Sequence, residues 1–390
     1  MSRARTSAFP VFLAFLAMGF GDAAGPFVSL AREHFHLSNF AAQLIPFVGF
    51  LMFGILSLPM GIWQDSRGKK FILLFGLGIM LAGLLLPTLA GLNSFPLFLV
   101  TVLLLGAGAT TLQVAGNPIM RDVSAEGKYS RNLSLAQFVK AIGSLAGPLV
   151  PVVAARSMGA SWEVIFPVYS AAVLITILAV STLKVKEERA PDHKPATFGA
   201  SFALLRNGYV ALMVLGLFLY VGAEVSVSAG IPLYLKDRFQ VDINSMGLLG
   251  TGLFFVALTI GRFSGGVILT WIKPAKFFVA TCLLSLAGLL GLFVPSEPVA
   301  VASFVLIGLG FANIFPLIFS IVIDRLPQHA NALSGLMVMA IVGAAIVPPL
   351  MGLAADALHS VQAAFIVPLA AVVYIGWCSL VTLRQHAGTI

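Results

Sequence analysis

Apolar runs long enough to cross a bilayer recur about twelve times in this chain, and that recurrence limits its fold more than any motif does. They lie at 7–31, 39–62, 71–92, 96–119, 132–155, 163–183, 206–234, 243–269, 276–294, 298–323, 330–354 and 361–383. A run of roughly 20 apolar residues in hydrocarbon satisfies its own backbone polar groups only as a helix. The expected fold class is therefore an all-α polytopic membrane protein with 12 transmembrane helices. Composition agrees. The chain is 59% hydrophobic and 10% charged, too little charge to cover a soluble surface.

The formal net charge is +8, and its distribution explains it. With the N-terminus inside, only Arg32, Arg156, Lys236 and Arg238 fall outside and Lys140 falls within a span. The other eighteen of the 23 Lys and Arg lie on or beside the cytoplasmic face. That is the positive-inside pattern, with both termini cytoplasmic, and it implies no nucleic-acid partner. The first apolar run follows Arg3 and Arg5, contains Asp22 and has no small-residue cleavage site, so it reads as a retained helix. Cys282 and Cys378 lie in apolar runs and suggest neither a disulfide nor a metal site. No paired acids, nucleophile constellation or metal cluster stands out, so no enzyme, no catalytic residue and no cofactor is expected.

The longest polar stretch runs from Lys184 to Thr197. It divides the chain into an N-terminal six-helix half (1–183), a cytoplasmic linker (184–200) and a C-terminal six-helix half (201–390). The halves echo each other. Arg32-Glu33-His34-Phe35 matches Lys236-Asp237-Arg238-Phe239 at an offset of 204. Ser134, Gly143 and Pro148 match Ser334, Gly343 and Pro348 at an offset of 200. Pseudo-symmetric halves with substrate held near the midplane characterise a common class of secondary transporter.

Polar residues inside spans are costly and usually face a bundle interior or cavity. Gln113 and Asn117 lie four apart in the fourth span, and Gln137 and Lys140 three apart in the fifth, each pair on one helical face. Amides both donate and accept, which suits hydroxyl-bearing solutes, although they also bond helices together. Asp22, Lys140 and Glu224 are the ionisable groups well within spans, with Glu163 and Arg262 nearer an end. Lys140 unpaired would cost roughly 2.5–3.5 kcal/mol. It is expected to pair with Asp22, or failing that Glu224, as a charge switch or a fixed buried pair. In the tenth span Asn313 is a hydrogen-bond donor for a solute, with Phe311 and Phe315 as stacking candidates. After the second span, Gly61-Ile62-Trp63-Gln64-Asp65-Ser66-Arg67-Gly68-Lys69-Lys70 reads as a conformational latch: Asp65 accepts from a helix N-terminus or a basic group, and Arg67 supplies charge beside it. Gly261-Arg262-Phe263-Ser264-Gly265-Gly266 echoes it weakly in the second half.

That loop resembles the cytoplasmic signature of the major facilitator superfamily, with Ser66 where an arginine usually follows the acid. Tyr220 to Glu224, Asn313 to Ser320, Ser334 to Pro348, Leu135-Ala136-Gln137 and Phe35 to Leu44 resemble its fucose/glucose–galactose permease branch. The resemblance covers nearly the whole chain. It implies a sugar–cation symporter working by alternating access in a bacterial cytoplasmic membrane. The family's first helix carries Asn-x-x-Asp with a proline four after the acid. An ungapped count from Asn39 sets Asp22 at the asparagine and Gly25 at the aspartate. Allowing three inserted residues makes Asp22 the aspartate and Pro26 the proline, with Gly19 replacing the asparagine; this alignment keeps both Asp and Pro and is preferred. Gln113 replaces the family's glutamate, and Lys140 its asparagine.

The expected function is import of a monosaccharide such as glucose, galactose, mannose or fucose, coupled to Na+ or H+. Gln113, Asn117, Gln137, Lys140, Glu224 and Asn313 are the expected sugar-binding residues; Asp22, Lys140 and Glu224 are the expected charge switch. The expected partners are a small sugar and the bilayer, with the protein a monomer. The alternatives are a sugar acid or other organic anion countered by Lys140, or uncoupled sugar facilitation. Drug export ranks below these, because the amides and charges do not suit a greasy pocket.

Overall fold

The computed structural model describes residues 8–22, 31, 34–37, 39–159, 161–184, 197–240 and 248–387. Its principal helices are α1 (Phe9–Asp22), α2 (Asn39–Arg67), α3 (Lys69–Ala90), α4 (Phe95–Val123), α5 (Tyr129–Met158), α6 (Ile165–Ser181), α7 (Gly208–Phe239), α8 (Leu248–Ile268), α9 (Pro274–Gly291), α10 (Glu297–Phe311), α11 (Ile314–Arg325), α12 (Ala330–Met339), α13 (Gly343–Leu358) and α14 (Ile366–Ala387). Among the described residues, ten helical stretches are long and apolar enough to cross a membrane. The other two expected spans coincide with α1 and α5. The protein is all-helical and multi-pass, as the apolar repeat requires.

Local chemistry sets several boundaries. Ser94 caps α4 by accepting from the Leu97 amide, and Pro96 occupies its first turn, where no amide donor is needed. Asn207 caps α7 by accepting from the amides of Tyr209 and Val210. The tenth span is not one helix. It breaks at Ala312-Asn313, four and three residues before Pro316, which has no amide to donate back to Ala312. The eleventh span is divided by a 3-10 turn at Ala340–Val342.

The chain forms two compact units. The first comprises Met1–Tyr129, Val139–Ala203 and Pro327–Met339; the second comprises Ser130–Phe138, Leu204–Leu326 and Ala340–Ile390. The division therefore departs from halves 1–183 and 201–390: the start of α5 belongs with the second unit and α12 with the first. Residues 185–196 of the expected linker lie outside the described residues.

In the first unit α4 packs along α1, α2 and α3, and α12 packs on α2 and α4. From Leu105 to Met120 every residue of α4 is buried, so this helix is enclosed on all sides. In the second unit α11 has the same character from Ile314 to Ile323. The sequence echo is also physical. Gly143 sits against the Leu16 carbonyl of α1 in the first unit, and Gly343 against the Phe218 carbonyl of α7 in the second. Each glycine lets two backbones meet where a methyl group would collide.

Candidate functional site

Enclosure of α4 makes its polar residues informative. Gln113 is 2% exposed, Asn117 0% and Lys140 9%. The Lys140 ammonium of α5 donates to Gln113 Oε1 at 3.1 Å. This bond accounts for two departures from the family pattern together. A glutamate at 113 would form an ion pair with Lys140; here a neutral amide accepts from the ammonium. The expected pairing of Lys140 with Asp22 falls on a side chain outside the described residues, though Asp22 is the last residue of α1.

One turn along α4, the Asn117 backbone carbonyl accepts from the Tyr129 hydroxyl at 3.0 Å, fastening the head of α5. Its side chain differs. Neither Asn117 Oδ1 nor Nδ2 has a hydrogen-bond partner among the described residues. A fully buried amide with both atoms unsatisfied costs stability, and a hydroxyl-bearing ligand would satisfy both. Gln137 is likewise buried with its Nε2 unpartnered, but it belongs to the second unit, where the α5 segment meets α8 through Leu135 on Gly266 and Phe138 on Phe263.

In the second unit Glu224 of α7 faces Arg262 of α8, with Oε1 3.8 Å from the guanidinium. The Tyr220 hydroxyl, one turn back, donates to Glu224 Oε2 and also lies 3.0 Å from the Phe311 carbonyl at the end of α10. Asn313 Nδ2 donates to the Gly261 carbonyl at 2.7 Å and the side chain lies against Gly265, while its Oδ1 is buried with no hydrogen-bond partner among the described residues. Its amide fastens α8 to the α10–α11 break. Phe311 packs against Tyr220 and Phe254, and Phe315 stacks on Phe319.

The loop motif between α2 and α3 has a partner that the sequence did not indicate. Asn331, at the head of α12, donates from Nδ2 to Asp65 Oδ1 at 3.0 Å and accepts from Gln64 Nε2 at 3.0 Å. Asp65 is thus engaged by a neutral amide, while Arg67 is exposed. Beside this knot a methyl added to Gly335 would lie 2.9 Å from the Ser57 carbonyl and 3.2 Å from Gly61, so α2 and α12 touch backbone to backbone. Ser334 donates to the Val114 carbonyl at 2.7 Å, joining α12 to α4. Lys69 pairs with Asp122 at 2.6 Å, and Lys70 donates to the Ser181 carbonyl at 2.7 Å. The motif's lysines therefore fasten the start of α3 to the ends of α4 and α6.

Asn331, Tyr220 and Arg262 are the residues that spacing alone does not single out. Polar residues at helix heads are commonplace, a tyrosine in a span usually packs, and Arg262 reads as lying near a span end.

Comparison with known proteins places this arrangement. The profile of the Major Facilitator Superfamily matches residues 11–341. The Glucose/galactose transporter of Brucella abortus (strain 9-941) is 28% identical over 361 residues, covering 90% of this chain and 87% of the relative. The L-fucose-proton symporter of Escherichia coli (strain K12) is 26% identical over 370 residues, covering 86% and 84%. The crystal structure of the transporter FucP in the outward conformation superposes with a TM-score of 0.83 at 24% identity, covering 95% of this chain and 98% of that one. The similarity spans nearly all of each protein, and the profile covers most of the chain: this protein belongs to the major facilitator superfamily, a family of membrane transporters and not of enzymes.

Proposed function

We propose that the protein imports a monosaccharide across a bacterial cytoplasmic membrane by alternating access, coupled to a cation, with both termini cytoplasmic. The observation that carries this reading is the buried α4–α5 cluster: Asn117 with both amide atoms unsatisfied, beside Gln113 and Lys140. Vicinal hydroxyls of a sugar each donate and accept, which is what an orphaned carboxamide needs. The names of the Brucella and Escherichia relatives support a sugar as the solute and a proton as a candidate coupling ion. In this reading Gln113, Asn117, Gln137 and Lys140 contact sugar hydroxyls, while Asp22 and Glu224 hold exchangeable charge. Asn313 acts through the helix it fastens.

A sugar acid is the second reading, favoured by the positive charge of Lys140 beside a neutral amide. Exchange of labelled galactose in proteoliposomes, with glucose, fucose and glucuronate as competitors, separates the two. Inhibition by the neutral sugars alone supports the proposal; inhibition by glucuronate alone supports the acid.

A further inference from the structure

The family resemblance sets an acid on the first helix and one on the fourth. The second of these is Gln113 here. The described residues hold another carboxylate inside a span, and its surroundings are specific. Glu224 offers Oε2 to the Tyr220 hydroxyl and Oε1 to Arg262. Both charged side chains keep some exposure, 18% for Glu224 and 16% for Arg262, so the pair is not sealed in the core. Arg262 Nε is buried with no hydrogen-bond partner among the described residues.

The Tyr220 hydroxyl carries one proton and faces two acceptors, Glu224 and the Phe311 carbonyl. With Glu224 ionised, the hydroxyl donates to the carboxylate and the carbonyl waits. With Glu224 protonated, the new carboxyl proton donates to the tyrosine oxygen and the tyrosine proton turns to Phe311. Both protonation states thus keep a hydrogen bond between Tyr220 and Glu224 through one rotation of a hydroxyl. A sodium ion has no such provision, because the Arg262 guanidinium already supplies the positive charge beside the carboxylate.

We infer that Glu224 is a proton-carrying carboxylate of the transport cycle, with Arg262 as its charge partner and Tyr220 as the relay that accommodates either state. A proton from one aqueous face binds Glu224 Oε2, the Arg262 pairing weakens, and release to the other face restores it; no other group changes charge. Tyr220 and Arg262 are positioning residues. The helices packed on α7 bring few other ionisable groups. Asp324 and Arg325 lie at the end of α11 and Asp356 late in α13, Glu297 opens α10, and Tyr374 and Cys378 of α14 bond to the Leu212 carbonyl.

This inference rests on the transport reading, so its test includes an arm that needs no sugar. Infrared difference spectra of the purified protein in lipid nanodiscs, taken between acidic and alkaline buffer, read carboxylic-acid protonation directly. The expected result is a carboxylic carbonyl band that is unmoved by sodium, absent in Glu224→Gln, and shifted to higher frequency in Tyr220→Phe, where its hydrogen bond is lost. In proteoliposomes, Arg262→Leu should lose proton-driven galactose accumulation while keeping galactose exchange, and Arg262→Lys should retain part of the accumulation. A wild-type spectrum without a band assignable to Glu224, or a carboxylate band that shifts with sodium, overturns the inference. If galactose does not move in any protein, the sugar reading fails while the spectra still decide the proton site.

Discussion

Asn331 joins two neighbouring side chains of α2, so its removal has a calculable effect. Asn331→Ala deletes the bond to the Asp65 carboxylate and the bond from Gln64, both 3.0 Å. A hydrogen bond to a charged group contributes about 1.5–3 kcal/mol and a neutral one about 0.5–1.5. The site is part-buried, so we take the lower part of the combined range, about 2–3 kcal/mol. That corresponds to a roughly 30- to 150-fold shift toward states in which α2 and α12 are apart. Hydrogen–deuterium exchange of the protein in nanodiscs measures it, with faster exchange expected over residues 56–68 and 330–338 and no change over α9. Asn331→Asp should open the contact further, because it sets a carboxylate against Asp65. Combining it with Asp65→Asn exchanges the two groups and should restore most protection. Unchanged exchange in Asn331→Ala, or no recovery in the exchanged pair, would refute the latch.

Three further outcomes follow from the site. Asn117→Leu removes a buried amide with no partner among the described residues, so thermal stability should not fall while KM for sugar rises about tenfold; a normal KM would exclude Asn117 as a ligand. Lys140→Ala should uncouple or abolish transport in a folded protein, and transport with unchanged ion dependence would show that Lys140 is no part of the charge switch. Asn313→Leu leaves the Gly261 carbonyl buried without its donor and should cost about 1–3 kcal/mol in thermal unfolding. Unaltered stability with weakened sugar binding would instead make Asn313 a ligand.

The apolar spans were legible because bilayer thickness sets their length residue by residue, and that information is local. The described parts of the expected spans are almost wholly helical, and the chain's family is the one its motifs resemble. The breaks at Ala312-Asn313 and Ala340–Val342 were not legible, since hydropathy does not register a change of helix geometry inside an apolar run. In the site, the bond from Lys140 to the amide of Gln113 was not expected, while the expected pairing with Asp22 falls on a side chain outside the described residues. Asp65 was expected to accept from a helix N-terminus or a basic group, and a bond from Asn331, 266 residues away in sequence at the head of α12, was not foreseen. Burial was the missing information in both cases: only the fold reveals which polar atoms remain unsatisfied.

The most direct measurement is uptake of labelled glucose, galactose, mannose, fructose and fucose into proteoliposomes, under a proton gradient and a sodium gradient imposed separately. The account predicts concentrative uptake of at least one of these sugars under the proton gradient, collapsed by a protonophore and absent from Asn117→Leu at low sugar concentration. Absence of flux for every sugar under either gradient, in protein that stays folded, would contradict it.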